Sequence, residues 1–426
     1  MVEKEKKRRR KKEPAVDRLS VLPDEVLIRI LSFLPTGAAV QTSVLSKRWA
    51  GLFSKATGLQ FDDEINMTGF TNLVDRVLKL HKVSIERFKL WFKGMKERDV
   101  SRVEAWIASA LSLGARELDL LLKYQLDDMT QHNLLRSSTL TVLKLKYHET
   151  LANLNVPTSV CLSSLNILKF TGIIFPDVSS TRRFFLGCPS LKDLTLCECQ
   201  WMDGKVYNIS SAKLRNLTIS LWKCHQYKKT PTIVLDLPDM VYFEYCGVPW
   251  ELYRIKNPIA LATAELNLGG MENKAHHGVV RLMKELSNVK VLRLFNDSLR
   301  SIEQSEVPTF ENLLRLEVGI SSDEEQKGWR LLPKLLARSP MLGTLVFKEG
   351  LDCCYDVIGT LAEEQRDPFS PNPLDIQVDD YTGAKKERRM VKLFLRSRAF
   401  NVKQIIVNTV KDYFEICSRR IIGSRY

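Results

Sequence analysis

The sequence predicts an α/β protein in which three short N-terminal helices precede an irregular solenoid with a parallel sheet on its concave side. Three observations predict it: an amphipathic helical stripe between Pro23 and Pro35, a leucine-containing signature that recurs from Leu118 to Leu345, and a break in that recurrence afterwards. The 426 residues are 44% hydrophobic and 27% charged, which is ordinary for a globular protein and excludes wholesale disorder. No apolar run approaches the roughly 18 residues that cross a bilayer, so we expect no membrane partner.

Residues 1–16 form a strongly basic tail. A block of like charges repels itself and buries no apolar surface, so we expect this tail to be disordered. It has no apolar stretch typical of a secretory signal, which predicts an intracellular protein of the nucleus and/or the cytoplasm. A short basic run is also typical of a nuclear import signal, and the alternative is a solvated tail without an address. The import candidates are Lys6, Lys7, Arg8, Arg9, Arg10, Lys11 and Lys12.

Residues 17–61 have the pattern of three short helices. Pro23 suits a first helical turn, and Asp24 places negative charge at the positive end of the helix dipole. A second helical stretch follows Thr36, and Ser46 can cap a third. A unit of about 45 residues is close to the lower size limit for a domain that is stable alone. These helices therefore either offer apolar side chains to a partner or cap the domain that follows, and the residues leave both interpretations open.

The same segment reads LPDEVL at 22–27, ILSFLP at 30–35 and SVLSKRW at 43–49. Together these stretches resemble the F-box of plant F-box proteins with leucine-rich repeats. The resemblance implies a three-helix module over 17–61 that binds a Skp-type adaptor and, through it, a cullin. One departure is Gly37-Ala38-Ala39, where relatives usually carry a charged residue. The adaptor-binding residues that the resemblance implies are Leu22, Pro23, Leu27, Ile30, Leu31, Leu34, Val44, Leu45 and Trp49.

An apolar-x-x-apolar-x-apolar signature recurs from Leu118 to Leu345, with Thr263-Leu266-Leu268 as one of its weaker copies. The middle residues of successive copies are 23–29 residues apart in every interval, whereas chance clustering of leucines predicts scattered spacings. A leucine-rich repeat spans about 20–29 residues and combines a short strand with a helix or turn. One unit cannot bury its apolar face alone, so the units stack. We therefore predict a leucine-rich-repeat array over 62–365, with helices on its convex side.

Alternation along each strand decides which side chains face a partner. In the repeat at 140–146, Leu143 and Leu145 should point inward, while Lys144 and Lys146 point to the concave face. The matching positions of other repeats are mostly basic, so we expect the arc to hold a target protein with an acidic surface. The target-binding candidates are Lys144, Lys146, Lys169, Lys192, Thr195, Arg215, Thr218, Arg293 and Arg315.

After Leu345 the spacing breaks, and a different pattern occupies 366–410. It reads in order as a strand, a helix and a strand, at 376–378, 386–400 and 404–407. Tyr381-Thr-Gly383 and the stretch from Phe394 to Ala399 are similar to the FBD region that follows the repeats in this plant family, although its tryptophan-bearing opening is missing. We expect a degenerate FBD-like cap that closes the open end of the array, and a C-terminal tail at 411–426.

Motifs of enzyme catalysis are absent: the sequence has no Walker loop, no G-x-G-x-x-G, no G-x-S-x-G and no H-E-x-x-H. The nine cysteines lack the paired spacing of zinc sites, so we expect reduced thiols, no metal and no cofactor. We therefore predict no catalytic residue. The net charge of +14 is spread without aromatic-interleaved basic stretches, which does not favour nucleic acid as a partner except through residues 1–12.

The function that the resemblance implies is a substrate-recognition subunit of a Skp-cullin-F-box ubiquitin ligase, which is a receptor and not an enzyme. Its F-box would hold the adaptor, and its repeat arc would hold a target protein for ubiquitination. The alternative is a leucine-rich-repeat scaffold or nuclear interaction protein whose F-box-like helices are only an N-terminal cap.

Overall fold

The computed structural model describes most of the chain that follows the basic tail. The predicted tail at 1–16 and its import candidates lie outside the described residues, as does most of the tail at 411–426. Within the described part, no helix is long and apolar enough to span a membrane. The described residues are 19, 21–65, 69–201, 205–222, 230–249, 251–269, 276–295, 298–303, 306–319, 329–351, 358, 368–409 and 419–421.

Three helices form a small module near the N-terminus, as predicted: α1 (Asp24–Leu31), α2 (Thr36–Thr42) and α3 (Lys47–Phe53). Helix α3 begins after Ser46, whose hydroxyl accepts a hydrogen bond from the backbone N–H of Trp49 at 3.4 Å. The three helices share a core that is separate from the core of the array. It consists of Leu27, Leu31, Ala39, Trp49, Leu52 and Ala56.

Short contacts join this module to the sheet that follows. The hydroxyl of Ser32 accepts from the backbone N–H of Thr57 at 3.0 Å, and the hydroxyl of Thr36 accepts from that of Gln60 at 2.7 Å. Gly58 packs so closely that a Cβ atom there would lie 2.2 Å from the carbonyl oxygen of Ser32. The first strand of the sheet therefore starts inside the segment that resembles an F-box.

One large sheet carries the array. In spatial order its strands are β1 (Gly58–Asp62), β2 (Arg87–Trp91), β3 (Glu117–Leu122), β4 (Val142–Tyr147), β6 (Ile167–Thr171), β8 (Asp193–Cys197), β11 (Asn216–Leu221), β13 (Tyr242–Gly247), β15 (Thr263–Leu268), β16 (Val291–Phe295), β17 (Arg315–Gly319), β18 (Thr344–Phe347), β19 (Leu374–Tyr381), β20 (Val402–Thr409) and β21 (Arg419–Ile421). All neighbours are parallel except β20 and β21, which confirms the predicted parallel sheet. Apolar side chains are buried on one face, and the other face, here called the open face, carries mostly half-buried or exposed side chains.

The register of the sheet aligns the repeat signatures with one another. Leu118, Leu143, Leu168, Leu194 and Leu217 are successive Cα partners on neighbouring strands, and all five are buried. Each leucine therefore packs against the equivalent leucine of the next unit, which is how a unit that cannot bury its own apolar face becomes stable in a stack.

One repeat lies two residues away from its predicted position. The spacing assigned its middle residue to Leu266, but the sheet aligns Ala264 with Phe243 and Leu292. The prediction was wrong because the alanine side chain is too small to stand out among larger apolar residues. The corrected intervals of 21 and 28 residues still suit a leucine-rich repeat.

A row of backbone carbonyls sets this register at the end of the sheet where the strands begin. The carbonyl oxygen of Arg116 accepts from the N–H groups of Thr141 and Val142, at 2.8 and 3.1 Å. The same double acceptance recurs from unit to unit, so each strand starts level with its neighbour. The carbonyls that accept twice belong to Thr57, Glu86, Arg116, Thr141, Asn166, Lys192, Arg215, Val241, Ala262, Lys290 and Leu314.

The buried face of the sheet is covered partly by helices, as predicted, and partly by short strands. The helices are α4 (Phe70–Leu80), α5 (Val100–Ser112), α6 (Asp128–Leu135), α7 (Val178–Leu186), α8 (His276–Glu285), α9 (Ser298–Glu303) and α10 (Leu331–Ala337). The short strands form two parallel sheets, β5 (Ala152–Asn153), β7 (Ile173–Phe175) and β9 (Gln200–Trp201), and β10 (Val206–Ser210), β12 (Thr232–Asp236) and β14 (Leu252–Lys256). Strands replace helices here because β10 and β14 bury every second side chain, a period that a helix cannot match.

The segment after the repeats contains the predicted strand, helix and strand, as β19, α11 (Lys385–Arg396) and β20. Strand β19 pairs in parallel with β18, so this segment extends the large sheet. The buried carboxylate of Glu387 holds the turn before α11, because it accepts from the N–H groups of Thr382, Gly383 and Ala384. It also accepts from the N–H of Leu351 at 3.2 Å, which ties the segment to the last repeat.

Candidate adaptor and target interfaces

Apolar side chains remain exposed on the three-helix module. Val44 is 89% and Leu45 69% exposed, both in the turn between α2 and α3, and Val21 ahead of α1 is 77% exposed. Arg48 joins these two segments, since its Nη2 donates to the carbonyl oxygen of Leu22 at 2.7 Å. These exposed apolar side chains lie on two segments that this hydrogen bond joins, and clusters of such side chains are typical of interaction sites. The docking patch, as we call it, consists of Leu19, Val21, Val44 and Leu45.

The nine residues expected at the adaptor interface differ in burial. Leu27, Leu31 and Trp49 belong to the core of the module, so they support its surface from beneath. Leu22 and Leu34 are half-buried against that core. The exposed members are Pro23, Ile30, Val44 and Leu45. Helical periodicity alone could not separate these groups, because it identifies an apolar face but not which part of it the other two helices cover.

Two members of the docking patch were missed by the sequence analysis. Leu19 is 55% exposed, and with Val21 it lies ahead of α1. Neither residue belongs to a helix, so the periodicity that drew attention to α1 carried no signal for them.

A groove of about 500 Å³ separates α1 from the end of the sheet where the strands begin. The guanidinium group of Arg87 lies 4.1 Å from the ring centre of Phe33 and so connects the two sides of this groove. Arg29 and Arg116 also line it, together with Glu25 and Glu86. Its lining is polar and of mixed charge.

The register places seven of the nine predicted target-binding residues on the open face. Lys146 and Arg315 lie in two different rows, and the other five share the row between them, which we call the middle row. From β2 to β17 the middle row consists of Lys89, Asp119, Lys144, Lys169, Thr195, Thr218, Glu244, Glu265, Arg293 and Glu317.

Lys192 and Arg215 do not lie on the open face, and their predicted placement was wrong. Each precedes the first residue of its strand, Asp193 in β8 and Asn216 in β11. Their backbone carbonyls belong to the row that sets the register, and their side chains are exposed at the end of the sheet. Alternation fails at these positions because it holds only inside a strand.

Carboxylates engage the two arginines of the open face. Arg293 lies between Glu265 and Glu317, with nitrogen–oxygen distances of 3.3 and 3.1 Å, and Arg315 Nε is 2.6 Å from Glu317. Although burial opposes it, the charge of Glu317 and the contacts with Glu265 raise the pKa of Arg293. These glutamates and Glu244 were not among the predicted residues, even though they occupy the same position in their repeats as Lys144.

The lysines of the open face are less engaged. Lys144 Nζ lies 3.2 Å from Asp119, and Asp119 also accepts from the indole N–H of Trp91 at 2.9 Å. Lys146 and Lys169 are exposed, and neither has a carboxylate partner in the described part of the chain. The basic side chains available to a partner therefore lie toward the N-terminal end of the array.

The described residues contain no group of three or more His, Cys, Asp or Glu side chains that could hold a metal ion. Burial raises the pKa of the Cys188 and Cys199 thiols to about 12, so neither provides a reactive thiolate at neutral pH. Cys197 and Cys246 lie on the open face, and burial raises the pKa of both.

Comparison with known proteins agrees with this architecture. An F-box domain model matches residues 19–56, which contain α1, α2 and α3. A model described as "FBD-associated F-box protein At5g56370, LRR repeats" matches residues 103–264. F-box protein At3g59000 of Arabidopsis thaliana is 31% identical over 89% of this chain and 84% of its own length. The chain belongs to the plant F-box/leucine-rich-repeat family.

Further relatives support the same assignment. F-box/LRR-repeat protein At3g58930 of Arabidopsis thaliana is 30% identical over 90% of this chain and 88% of its own length. F-box/FBD/LRR-repeat protein At2g04230 of the same plant is 34% identical over 77% of this chain and 73% of its own length. In this F-box/leucine-rich-repeat protein the docking patch lies on the F-box and the middle row on the repeats.

Proposed function

We propose that this F-box/leucine-rich-repeat protein is the substrate-recognition subunit of a Skp-cullin-F-box ubiquitin ligase. The observation that carries the proposal is the docking patch on the F-box, where Val44 and Leu45 are 89% and 69% exposed. Adjacent exposed apolar side chains on a module that already has its own packed core are typical of a surface that a partner covers. A Skp-type adaptor is the partner that F-box domains typically bind, and Pro23 and Ile30 would extend the contact.

The repeat array would bind the target on its open face. Lys144, Lys146 and Lys169 supply the positive charge for an acidic part of that target, and Thr195 and Thr218 supply hydroxyl groups between them and the glutamates. Ubiquitin transfer would then follow from proximity, because the complex holds target lysines at high effective concentration near a charged conjugating enzyme. No residue of this chain needs to take part in the chemical step.

Capture of the adaptor tests the F-box half of the proposal. Purified full-length protein should retain a Skp-type adaptor, and the variant with Val44→Asp and Leu45→Asp should lose it. Ile259→Asp is a matched control, since Ile259 is 93% exposed in a loop of the array. If the unaltered protein does not retain the adaptor, the ligase proposal is wrong.

The second candidate, a scaffold with an N-terminal cap, also has an observation in its favour. Ser32, Thr36 and Gly58 pack the module against β1, as a cap on the first strand would require. A cap would tolerate aspartate at Val44 and Leu45 without losing a partner. The capture experiment therefore distinguishes the two functions.

We further propose that the basic tail directs the protein into the nucleus. A fluorescent fusion of the full chain should accumulate there, and replacing Lys6, Lys7, Arg8, Arg9, Arg10, Lys11 and Lys12 with glutamine should spread it through the cell. An unchanged distribution would contradict the import role.

A further inference from the structure

The net charge of the open face changes from positive to negative along the array. On β1, β2, β3, β4 and β6 its three rows hold five basic and three acidic side chains, a net charge of +2. On β8, β11, β13, β15, β16 and β17 they hold two basic and four acidic side chains, a net charge of −2. The first group is Arg87, Lys89, Lys144, Lys146, Lys169, Asp62, Glu117 and Asp119, and the second is Arg293, Arg315, Asp193, Glu244, Glu265 and Glu317.

At the basic end, the charges of Lys146 and Lys169 are not neutralised by an ion pair within the described residues. They lie on neighbouring strands, and neither has a carboxylate partner among the described residues. Burial raises the pKa of Cys197, and the ammonium groups of Lys169 and Lys146 act against that rise. Lys169 is the register neighbour of Thr195 on β8, so an anionic group of a partner would be stabilised over this part of the sheet.

At the acidic end, Glu244 forms no ion pair among the described residues. It accepts from the hydroxyl of Thr218 at 3.0 Å and from the thiol of Cys246 at 3.4 Å, both neutral donors. Its register neighbour Glu265 adds a second negative charge, while Arg293 is shared between Glu265 and Glu317. A cation from a partner would therefore gain most beside Glu244.

The two ends are separated by a distance that a short peptide can span. Lys169 on β6 and Glu244 on β13 are three strand intervals apart, because β8 and β11 lie between them. At about 4.8 Å for each interval, this separation is about 14 Å, which an extended chain covers with about four residues.

We propose that the open face binds a segment of the target protein whose charges are ordered, with acidic residues over Lys146 and Lys169 and a basic residue over Glu244. This inference rests on the proposed function, since the segment belongs to the ligase target. A segment that is acidic throughout would meet repulsion from Glu244 and Glu265, so the acidic surface expected from the sequence suits only the basic end. The partner is therefore a dipolar segment with about four residues between its two charged parts.

Two synthetic peptides of identical composition test this order. The first has a block of glutamates, a neutral spacer of about four residues and a block of lysines, and the second interleaves the same residues. Binding of each fluorescent peptide to the full-length protein is measured by anisotropy at low and at physiological ionic strength. We expect the ordered peptide to bind about tenfold more tightly, because several modest charge contacts are made together.

Variants connect that preference to the named residues. The double change Lys146→Glu and Lys169→Glu should remove the preference for the ordered peptide, and Glu244→Gln should reduce it several-fold. The control is Lys79→Glu with Lys284→Glu, which changes the net charge equally at exposed positions of α4 and α8. Equal affinities for the two peptides, or an equal loss in the control variant, would overturn the inference.

Adaptor capture by the same preparations separates this inference from the proposed function. If the adaptor is retained but the ordered peptide has no advantage, the dipolar segment is wrong and the ligase role stands. If the preference is present but the adaptor is not retained, the ligase role fails and the open face still selects charge order.

Discussion

Arg48 on α3 holds Asp24 on α1 through two hydrogen bonds to a single carboxylate oxygen, 2.9 Å from Nε and 2.6 Å from Nη2. The same Nη2 donates to the carbonyl of Leu22, so one guanidinium group fixes the chain on both sides of Pro23. The pair is solvent-exposed, with 40% of the Arg48 and 49% of the Asp24 side chain accessible. An ion pair this exposed contributes little to stability, so we expect it to act mainly by positioning the docking patch.

Replacing Arg48 with alanine should weaken adaptor capture several-fold, because Val21 and Leu22 lose their attachment to α3. The free energy of unfolding should change by less than about 1 kcal/mol, as is usual for exposed ion pairs. Capture titrations and urea unfolding measure the two effects, with Arg76→Ala on α4 as the control. If capture by Arg48→Ala equals that of the control, the pair does not position the patch.

Replacing Gly58 and Gly51 with alanine, one at a time, should change the free energy of unfolding in opposite directions. Gly58→Ala places a Cβ 2.2 Å from the carbonyl of Ser32, so the F-box must move away from β1, at a cost of about 1–3 kcal/mol. Gly51→Ala in α3 meets nothing within 4 Å and should instead stabilise by roughly 0.5–1 kcal/mol. Denaturant unfolding of both variants gives the comparison, and effects of the same sign would contradict it.

Glu387→Gln should destabilise the C-terminal end of the array. Its Oε2 accepts from the N–H groups of Thr382, Gly383 and Ala384 and its Oε1 from that of Leu351, so the NH2 group of an amide would face one of these two sets of donors, at a cost of about 1–3 kcal/mol. Hydrogen exchange should then increase in β19 and α11 more than in β2 and β3. Lys392→Gln, at an exposed position of the same helix, should leave exchange unchanged. Uniform exchange along the sheet would show that Glu387 does not hold this end separately.

Asp177 should make the stability of α7 depend on pH in the acidic range. Hydrogen bonds from the hydroxyls of Ser179 and Ser180 and from the Ser180 backbone lower its pKa to about 2. The unfolded-state pKa is about 3.9, so the stabilisation is complete above that pH and is lost as pH falls toward 2. Asp177→Asn keeps a capping side chain, worth roughly 1 kcal/mol, but does not titrate. Unfolding at about pH 5 and about pH 3 should therefore show a smaller loss in the variant, and equal losses would contradict this role.

The repeat spacing predicted the fold well because the core needs a buried apolar side chain at the same position of every unit. The row from Leu118 to Leu217 could be read from the sequence, since every unit needs a large apolar residue at that place. Ala264 was not identified because its side chain is too small to stand out among larger apolar residues. The strands β10, β12 and β14 were not predicted, because helices are the general pattern on the convex side of such arrays and were expected there.

The candidate interfaces were less predictable, because they depend on pairing between distant residues. Arg293 looked available as a basic side chain, yet Glu265 and Glu317 engage it from 28 and 24 residues away. Lys146 and Lys169 have the same appearance in the sequence and no such partners among the described residues. Only the register, which brings separate repeats side by side, distinguishes an engaged charge from an available one.

The doubly accepting carbonyls have a consequence for how such proteins can diversify. The distance between equivalent middle residues varies from 21 residues, between Phe243 and Ala264, to 30 residues, between Phe88 and Leu118. Because each strand is aligned where it starts, extra residues are accommodated in the returning loops and the next strand remains level. Loop length can therefore drift over generations while the surface presented to a partner keeps its geometry.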